Sequence, residues 1–180
     1  DPDANPGVLV PHRPADVARL LAGEASVAPL TMVEAVADDG QSLLALNEIY
    51  LGHPSHQTSR WTLHVGGAAE RQASSGLIVG TGTGATGWCA SVARSRAGAP
   101  VLPAPTASEL AWFVREAWPS PATGTDRVQG LLGPGDRLDV AVETDGLVAF
   151  GDGMEGDRLT LAWGQRVSIG IAERRLCLVL

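Results

Sequence analysis

The last 44 residues, RLDVAVETDGLVAFGDGMEGDRLTLAWGQRVSIGIAERRLCLVL from Arg137 to Leu180, decide the class of fold. Apolar side chains alternate with polar ones in four short runs: Leu138/Val140/Val142, Leu159/Leu161/Trp163, Val167/Ile169/Ile171 and Leu176/Leu178/Leu180. Residues typical of tight turns separate them, namely Asp145-Gly146, Glu155-Gly156-Asp157 and Gly164-Gln165. Strands of period two joined by short turns predict an antiparallel sandwich or barrel.

The pattern continues toward the N-terminus, where we expect strands at about 28–36, 42–51, 61–66 and 76–80. Residues 14–23 have a helical period instead, with Pro14 suited to a first turn and Gly23 to the end of a helix. Residues 84–96 predict a second short helix. The pattern of residues 107–118 fits a helix or a strand equally well.

The composition excludes several classes of function. The chain has 180 residues, 44% of them apolar, and a net charge of −7, which disfavours binding to nucleic acid or to an anionic membrane. All 13 basic residues are arginine, so no Schiff-base lysine, Walker phosphate loop or kinase-type lysine is present. The two cysteines, Cys89 and Cys177, are far apart in sequence. We expect both in the core of a protein of the reducing cytoplasm, with no membrane attachment.

The segment GLIVGTGTGATGW, from Gly76 to Trp88, runs from a short apolar strand into a loop of glycine and threonine. Glycine lets a backbone approach a ligand closely, and the hydroxyls of Thr81, Thr83 and Thr86 suit ribose or amide groups. The spacing Gly82-x-Gly84-x-x-Gly87 matches the dinucleotide fingerprint, but neither a parallel sheet nor an acidic residue ~20 positions further on accompanies it. The segment therefore predicts either a different kind of ligand site or a plain connection.

Three segments in order resemble the NAD kinase family. The stretch from Ser75 to Trp88 is similar to the family's Asp-Gly-Leu-Ile-Val-Ser-Thr-Pro-Thr-Gly-Ser-Thr-Ala-Tyr loop. Ala45-Leu46-Asn47-Glu48-Ile49 resembles its Ala-Leu-Asn-Glu-Val segment, and Gly151-Asp152-Gly153 resembles its Asp-Gly turn between two late strands. Order and spacing agree from about residue 14 to residue 180.

The resemblance implies a mainly β fold, an antiparallel β-sandwich with one or two short helices, in which 107–118 is a strand. Residues 14–180 would be the C-terminal dinucleotide-binding domain, and 1–13 a connector from an N-terminal α/β domain. The absence of an initial Met agrees with that expectation. Family members assemble as dimers or tetramers largely through this domain, so we expect a homo-oligomer.

The activity implied by the resemblance is the transfer of the γ-phosphoryl of ATP, with Mg²⁺, to the adenosine ribose 2′-hydroxyl of NAD, which makes NADP. The family's Gly-Gly-Asp-Gly-Thr motif, whose aspartate is thought to activate that hydroxyl, is absent from this chain. We therefore assign no catalytic residue here and expect the chain alone to bind NAD without turnover. ATP and Mg²⁺ would bind through the N-terminal domain.

The resemblance also implies which residues contact NAD. Asn47 and Glu48 would bind ribose and amide groups, and Asp152 would reach the site from its turn. The others are Ser75, Thr83, Gly84, Thr86, Gly87, Trp88 and Ser91. Three of these residues also have a purely structural interpretation: Glu48 as a solvated strand edge, Trp88 as a core side chain and Asp152 as an ordinary turn residue.

Departures from the family pattern predict an altered pocket, and four of them concern the chemistry of the loop. Ser75 replaces an aspartate, Gly82 a proline, Ala85 a serine and Trp88 a tyrosine. No metal site is expected, because His53 and His56 are better interpreted as surface residues of a Pro-containing turn.

Two other classes of function remain open. One is a non-catalytic nucleotide-sensing or assembly module derived from the same fold, which the changes at Ser75, Ala85 and Trp88 would permit. The other is a diacylglycerol or sugar kinase-type domain of related architecture. The Asn47-Glu48 pair and the threonine-rich loop favour the NAD kinase side.

Overall fold

A computed structural model describes residues 12–180, and residues 1–11 of the predicted connector lie outside the described part. Helix α1 (Val17–Leu21) follows a 3₁₀ turn at Pro14–Asp16, and helix α2 (Trp88–Arg94) follows one at Gly84–Thr86. The described strands are, in chain order, β1 (Val27–Ala37), β2 (Ser42–Ala45), β3 (Glu48–Gly52), β4 (Ser59–Val65), β5 (Ala68–Ser74), β6 (Gly76–Gly80), β7 (Leu110–Arg115), β8 (Gln129–Leu132), β9 (Arg137–Val142), β10 (Leu147–Gly151), β11 (Met154–Leu161) and β12 (Arg166–Val179).

The strands form two antiparallel sheets of six. Sheet A has the order β2-β1-β12-β9-β4-β5, and sheet B has the order β11-β10-β3-β6-β7-β8. Alternate side chains of each strand point into the space between the sheets, where Trp61 and Leu63 of sheet A share one core with Leu77 and Val114 of sheet B. The fold is therefore the mainly β sandwich with two short helices that the sequence predicts.

The outer face of sheet B carries a second, smaller apolar cluster. Strand register places Phe150 beside Tyr50, Tyr50 beside Ile78, and Ile78 beside Phe113. Helix α2 packs on this row through Cys89, which is fully buried. Cys177 is exposed on β12, so the prediction that both cysteines lie in the core is wrong for that residue.

Some predicted elements match and others do not. The predicted strand at 76–80 is β6, and residues 107–118 contain strand β7 rather than a helix. The expected strand at 42–51 is two strands, and β5 and β8 were not predicted. The turn at Gly151-Asp152-Gly153 between two late strands, which the resemblance implies, is confirmed as the connection of β10 to β11. The turn expected at Glu155-Gly156-Asp157 is wrong, because these residues lie within β11 and the turn is at Gly151–Met154.

The break inside 42–51 positions the candidate site. Strand β2 is the edge of sheet A, whereas β3 pairs with β10 and β6 in sheet B. Leu46 and Asn47 thus carry the chain from one sheet to the other, and we call these two residues the crossover. No helix within residues 12–180 combines the length and apolar character that crossing a bilayer requires.

Candidate functional site

Asp152 holds the crossover in place. One carboxylate oxygen accepts the backbone N–H of Leu46 at 2.9 Å, and the other accepts those of Asn47 at 2.6 Å and Glu48 at 3.3 Å. The Asp152 N–H donates to the Glu48 carbonyl at 3.0 Å. Asp152 has a positive φ of 54° in the hairpin turn between β10 and β11, a conformation that Asp tolerates better than most residues. Its side chain therefore positions Asn47 and Glu48.

Thr81 joins the glycine-rich loop to the same crossover. Its hydroxyl donates to the Leu46 carbonyl at 2.5 Å and accepts the N–H groups of Thr83 at 3.1 Å and Gly84 at 3.3 Å. Its N–H donates to the Asn47 carbonyl at 2.8 Å. Thr81 is fully buried. The sequence predicts that this hydroxyl suits a ligand's ribose or amide groups, whereas in the structure it holds the loop against the crossover.

Two glycines of the loop allow close packing against the protein itself. A Cβ atom on Gly84 would lie 2.2 Å from the Asn47 carbonyl oxygen, and one on Gly82 would lie 2.0 Å from the Ala104 carbonyl oxygen. Both contacts involve backbone atoms, which cannot turn away as a flexible side chain can. These positions need glycine for the fold, whatever they do for a ligand.

The side chains of Asn47 and Glu48 have no hydrogen-bond partner within residues 12–180, although both are half-buried. Burial raises the pKa of the Glu48 carboxyl above its ordinary value, and the nearby charge of Asp152 raises it further. The buried Thr83 hydroxyl oxygen also lacks a partner in this part of the chain. The half-buried side chains of Asn47 and Glu48, which have no partner, are available to a ligand.

The remaining predicted residues of the loop lie along its exposed side. Thr86 and Gly87 are exposed, and the Thr86 hydroxyl donates to the Thr83 carbonyl at 3.1 Å. Ser91 is exposed one turn into α2. Gly84 lies against the Asn47 backbone, and Thr83 is joined to the crossover through the Thr81 hydroxyl, whereas Ser91 is placed further along the helix.

Trp88 belongs to an aromatic cluster on the outer face of sheet B, and Ser75 borders this cluster. The Trp88 ring stacks on Tyr50 with 5.7 Å between ring centroids and 12° between planes, and it is half-buried. The Tyr50 hydroxyl donates to the Ser75 carbonyl at 2.9 Å, while Ser75 itself is exposed. Tyr50 was not predicted as a site residue, although it follows Glu48 on the same face of β3 by the two-residue period of a strand.

His53 and His56, which the sequence places in a Pro-containing turn, lie in the connection between β3 and β4. His53 Nδ1 lies 3.1 Å from the backbone N–H of Ser55 and 2.9 Å from its hydroxyl, as in a local turn. No group of three His, Cys, Asp or Glu side chains in residues 12–180 is placed to hold a metal ion.

The double antiparallel sheet with this glycine-rich loop is an NAD kinase-like fold. One similar solved structure is that of yeast NADH kinase complexed with NADH, with a TM-score of 0.71 and 15% sequence identity. The alignment covers 92% of this chain and 47% of that one, so this chain spans about half the length of the yeast enzyme. No family model and no curated protein matches the sequence. At this identity the likeness concerns the fold.

Proposed function

We propose that this chain is the NAD-binding domain of an NAD kinase-like phosphotransferase, in which ATP and NAD yield ADP and NADP. The observation that carries the proposal is the half-buried, unpartnered pair Asn47 and Glu48 beside the glycine-rich loop. The similar yeast enzyme was solved with NADH, which is the same class of ligand.

The chemistry of the pair suits a ribose. An ionised carboxylate accepts hydrogen bonds from two neighbouring hydroxyls, and an amide both donates and accepts. Asp152 fixes the backbone of both residues by charge-assisted hydrogen bonds, so little freedom is lost when a ligand binds. Thr83, Gly84, Thr86 and Gly87 would border the nucleotide on the loop side.

The chain would bind and orient the dinucleotide rather than carry out the transfer. Phosphoryl transfer depends on positioning and on charge stabilisation of the phosphates, and this chain lacks the Gly-Gly-Asp-Gly-Thr motif of the family it resembles. We therefore assign Mg²⁺ and ATP binding to residues outside this chain and propose a homo-oligomer as the working form.

The test is calorimetric titration of the chain with NAD, NADP and NADH. Glu48→Ala should weaken binding at least tenfold, because a hydrogen bond to a charged group contributes about 1.5–3 kcal/mol. Glu173→Ala, an exposed residue of β12, is the matched control and should leave affinity unchanged. A folded chain that binds none of the three ligands would contradict the assignment of the dinucleotide site to this domain.

The second candidate is a non-catalytic nucleotide-sensing module. It is favoured by Ser75, which has a hydroxyl where the resembled family has an aspartate and which engages Tyr50 only through its carbonyl. A longer protein that contains this chain and binds NAD without phosphorylating it in the presence of Mg-ATP would support this candidate. NADP formation would exclude it.

A further inference from the structure

A small cavity opens on the outer face of sheet B, on the far side of Tyr50 from the crossover. Its volume is about 190 Å³, and it lies between the start of α2, the loop after β3 and the β10–β11 hairpin. Its walls include Tyr50, Trp88, Phe150, Arg115, Arg158 and His53. Two guanidinium groups and one carboxylate, that of Glu155, thus line the cavity beside three aromatic rings.

The aromatic wall is held rigidly. Tyr50 stacks on Trp88, and its ring centroid lies 5.0 Å from that of Phe150 at a tilt of 36°. A Cβ on Gly52 would lie 2.3 Å from the Tyr50 hydroxyl oxygen, and one on Gly76 would lie 2.4 Å from its ring. Because the tyrosine ring lies directly over these two glycines and its hydroxyl is bonded to Ser75, the wall is already formed without a ligand.

Arg115 provides the least exposed charge of the cavity. Its guanidinium carbon lies 5.4 Å from the centroid of the Trp88 ring, and its side chain is 31% exposed. Its carboxylate neighbour Glu116 is 3.5 Å away and 64% exposed, so solvent screens that pair strongly. Arg158 and Glu155 are exposed at the rim, where Arg158 donates to the Glu155 carbonyl at 3.2 Å.

The size of the cavity limits what it can take. Sites for drug-sized molecules usually have volumes of about 300–1,000 Å³. A volume of about 190 Å³ lies below that range. It suits one ring with one small substituent and is too small for a whole dinucleotide.

We infer that this cavity binds a single aromatic ring that carries one anionic group. The ring packs against Trp88, Tyr50 and Phe150, and the anion pairs with the Arg115 guanidinium, whose planar donors match a carboxylate in two-point fashion. The inference does not rest on the proposed dinucleotide site, because its ligand is a single-ring acid and its residues need no contact with Asn47 or Glu48. Trp88, which the family resemblance implies as an NAD contact, is the one residue that both sites share.

The test uses three ligands of nearly equal size, each titrated into the whole chain and followed by NMR. Benzoate has both the ring and the charge, benzamide lacks the charge, and cyclohexanecarboxylate lacks the aromatic face. Benzoate should bind about tenfold more tightly than either of the others and should shift the indole N–H signal of Trp88. Arg115→Met should reduce benzoate affinity to that of benzamide, whereas Arg174→Met, an exposed residue of β12, should not change it.

Equal affinity for benzoate and benzamide would overturn the role of Arg115, and equal affinity for benzoate and cyclohexanecarboxylate would overturn the role of the aromatic wall. These comparisons use the unmodified protein, so they decide the question even if Arg115→Met does not fold. If the unmodified chain does not bind NAD in a separate titration, that result contradicts the dinucleotide proposal and not this one.

Discussion

The Asn47 backbone N–H donates to the Asp152 carboxylate at 2.6 Å, across 105 positions of sequence. The same carboxylate accepts the N–H groups on either side of Asn47, so a turn residue of one hairpin fixes the point where the chain changes sheets. The sequence predicts Asp152 as a ligand contact or as an ordinary turn residue, and neither prediction includes this positioning role.

Asp152→Ala should lower the free energy of unfolding by about 2–3 kcal/mol or more, because three half-buried N–H groups lose a charged acceptor. Asp152→Asn should cost less, since it keeps one acceptor oxygen and tolerates the positive φ. Urea denaturation measures both. Asp157→Ala, an exposed position of β11, is the control. If Asp152→Ala unfolds at the same urea concentration as this control, the carboxylate does not hold the crossover.

Gly82→Ala should destabilise the chain by about 1–3 kcal/mol, because its Cβ would lie 2.0 Å from a backbone oxygen of Ala104. The matched substitution is Gly156→Ala, where a Cβ would meet nothing within 4 Å, and its effect should stay within about 0.5 kcal/mol. Thermal and urea unfolding of the two variants give the comparison. Equal stabilities of the two variants would mean that the 99–105 segment packs less closely on the loop than this 2.0 Å distance indicates.

The sequence predicted the class of fold because the strands that define it have one face in the core and the other in solvent. Strand β9 alternates Leu138, Val140 and Val142 inward, and the period is visible without a structure. Strand β5 was missed because its sequence, AAERQAS, has small and polar side chains at the edge of sheet A. The Oε1 of its buried Gln72 accepts the Trp61 indole N–H, and its Nε2 donates to the Arg127 carbonyl. No local pattern reveals these contacts between distant segments.

The sequence predicted only part of the candidate site. Motif resemblance pointed to Asn47, Glu48 and Asp152, and their role in NAD binding stays a prediction. The resemblance did not give the bonding of Thr81 to Leu46, which depends on two segments 35 positions apart meeting in space. Tyr50 was missed because an aromatic residue in a strand normally predicts core, and here it faces outward under α2.

Glu48→Gln should raise the stability of the ligand-free chain at pH 7 while weakening NAD binding. Burial and Asp152 raise the pKa of the Glu48 carboxyl in the folded state, so its ionised form is disfavoured there relative to the unfolded chain. That cost is absent below the unfolded pKa and is complete once the pH exceeds the folded pKa. The gain from Glu48→Gln should therefore shrink as the pH falls toward 4.

Urea unfolding of the parent and of Glu48→Gln at pH 4 and at pH 7 measures this pH dependence, with Glu173→Gln as the exposed control. A Glu48→Gln variant that is less stable than the parent at pH 7 would mean that the carboxylate has a stabilising partner.

The two cysteines should differ sharply in reactivity. Burial, with a smaller contribution from the charge of Glu48, raises the pKa of the Cys89 thiol to about 12, so almost none is thiolate at pH 8. Cys177 is exposed. A chromogenic disulfide reagent should thus titrate one thiol in the native chain and two in urea, and Cys177→Ser should abolish the native reaction. Two thiols reacting natively at similar rates would contradict the packing of α2 on sheet B.

The short passage between β2 and β3 limits how this domain can diverge. Strand β3 sends Ile49 and Leu51 into the core and Tyr50 to the outer face. One residue inserted at Leu46 or Asn47 would turn each of these side chains to the opposite face, because strand side chains alternate with a period of two. Ligand preference in related sequences can therefore change by substitution of side chains at the crossover, but not by insertion or deletion of residues there. Alignments of such sequences should show substitutions at Leu46 and Asn47 without gaps.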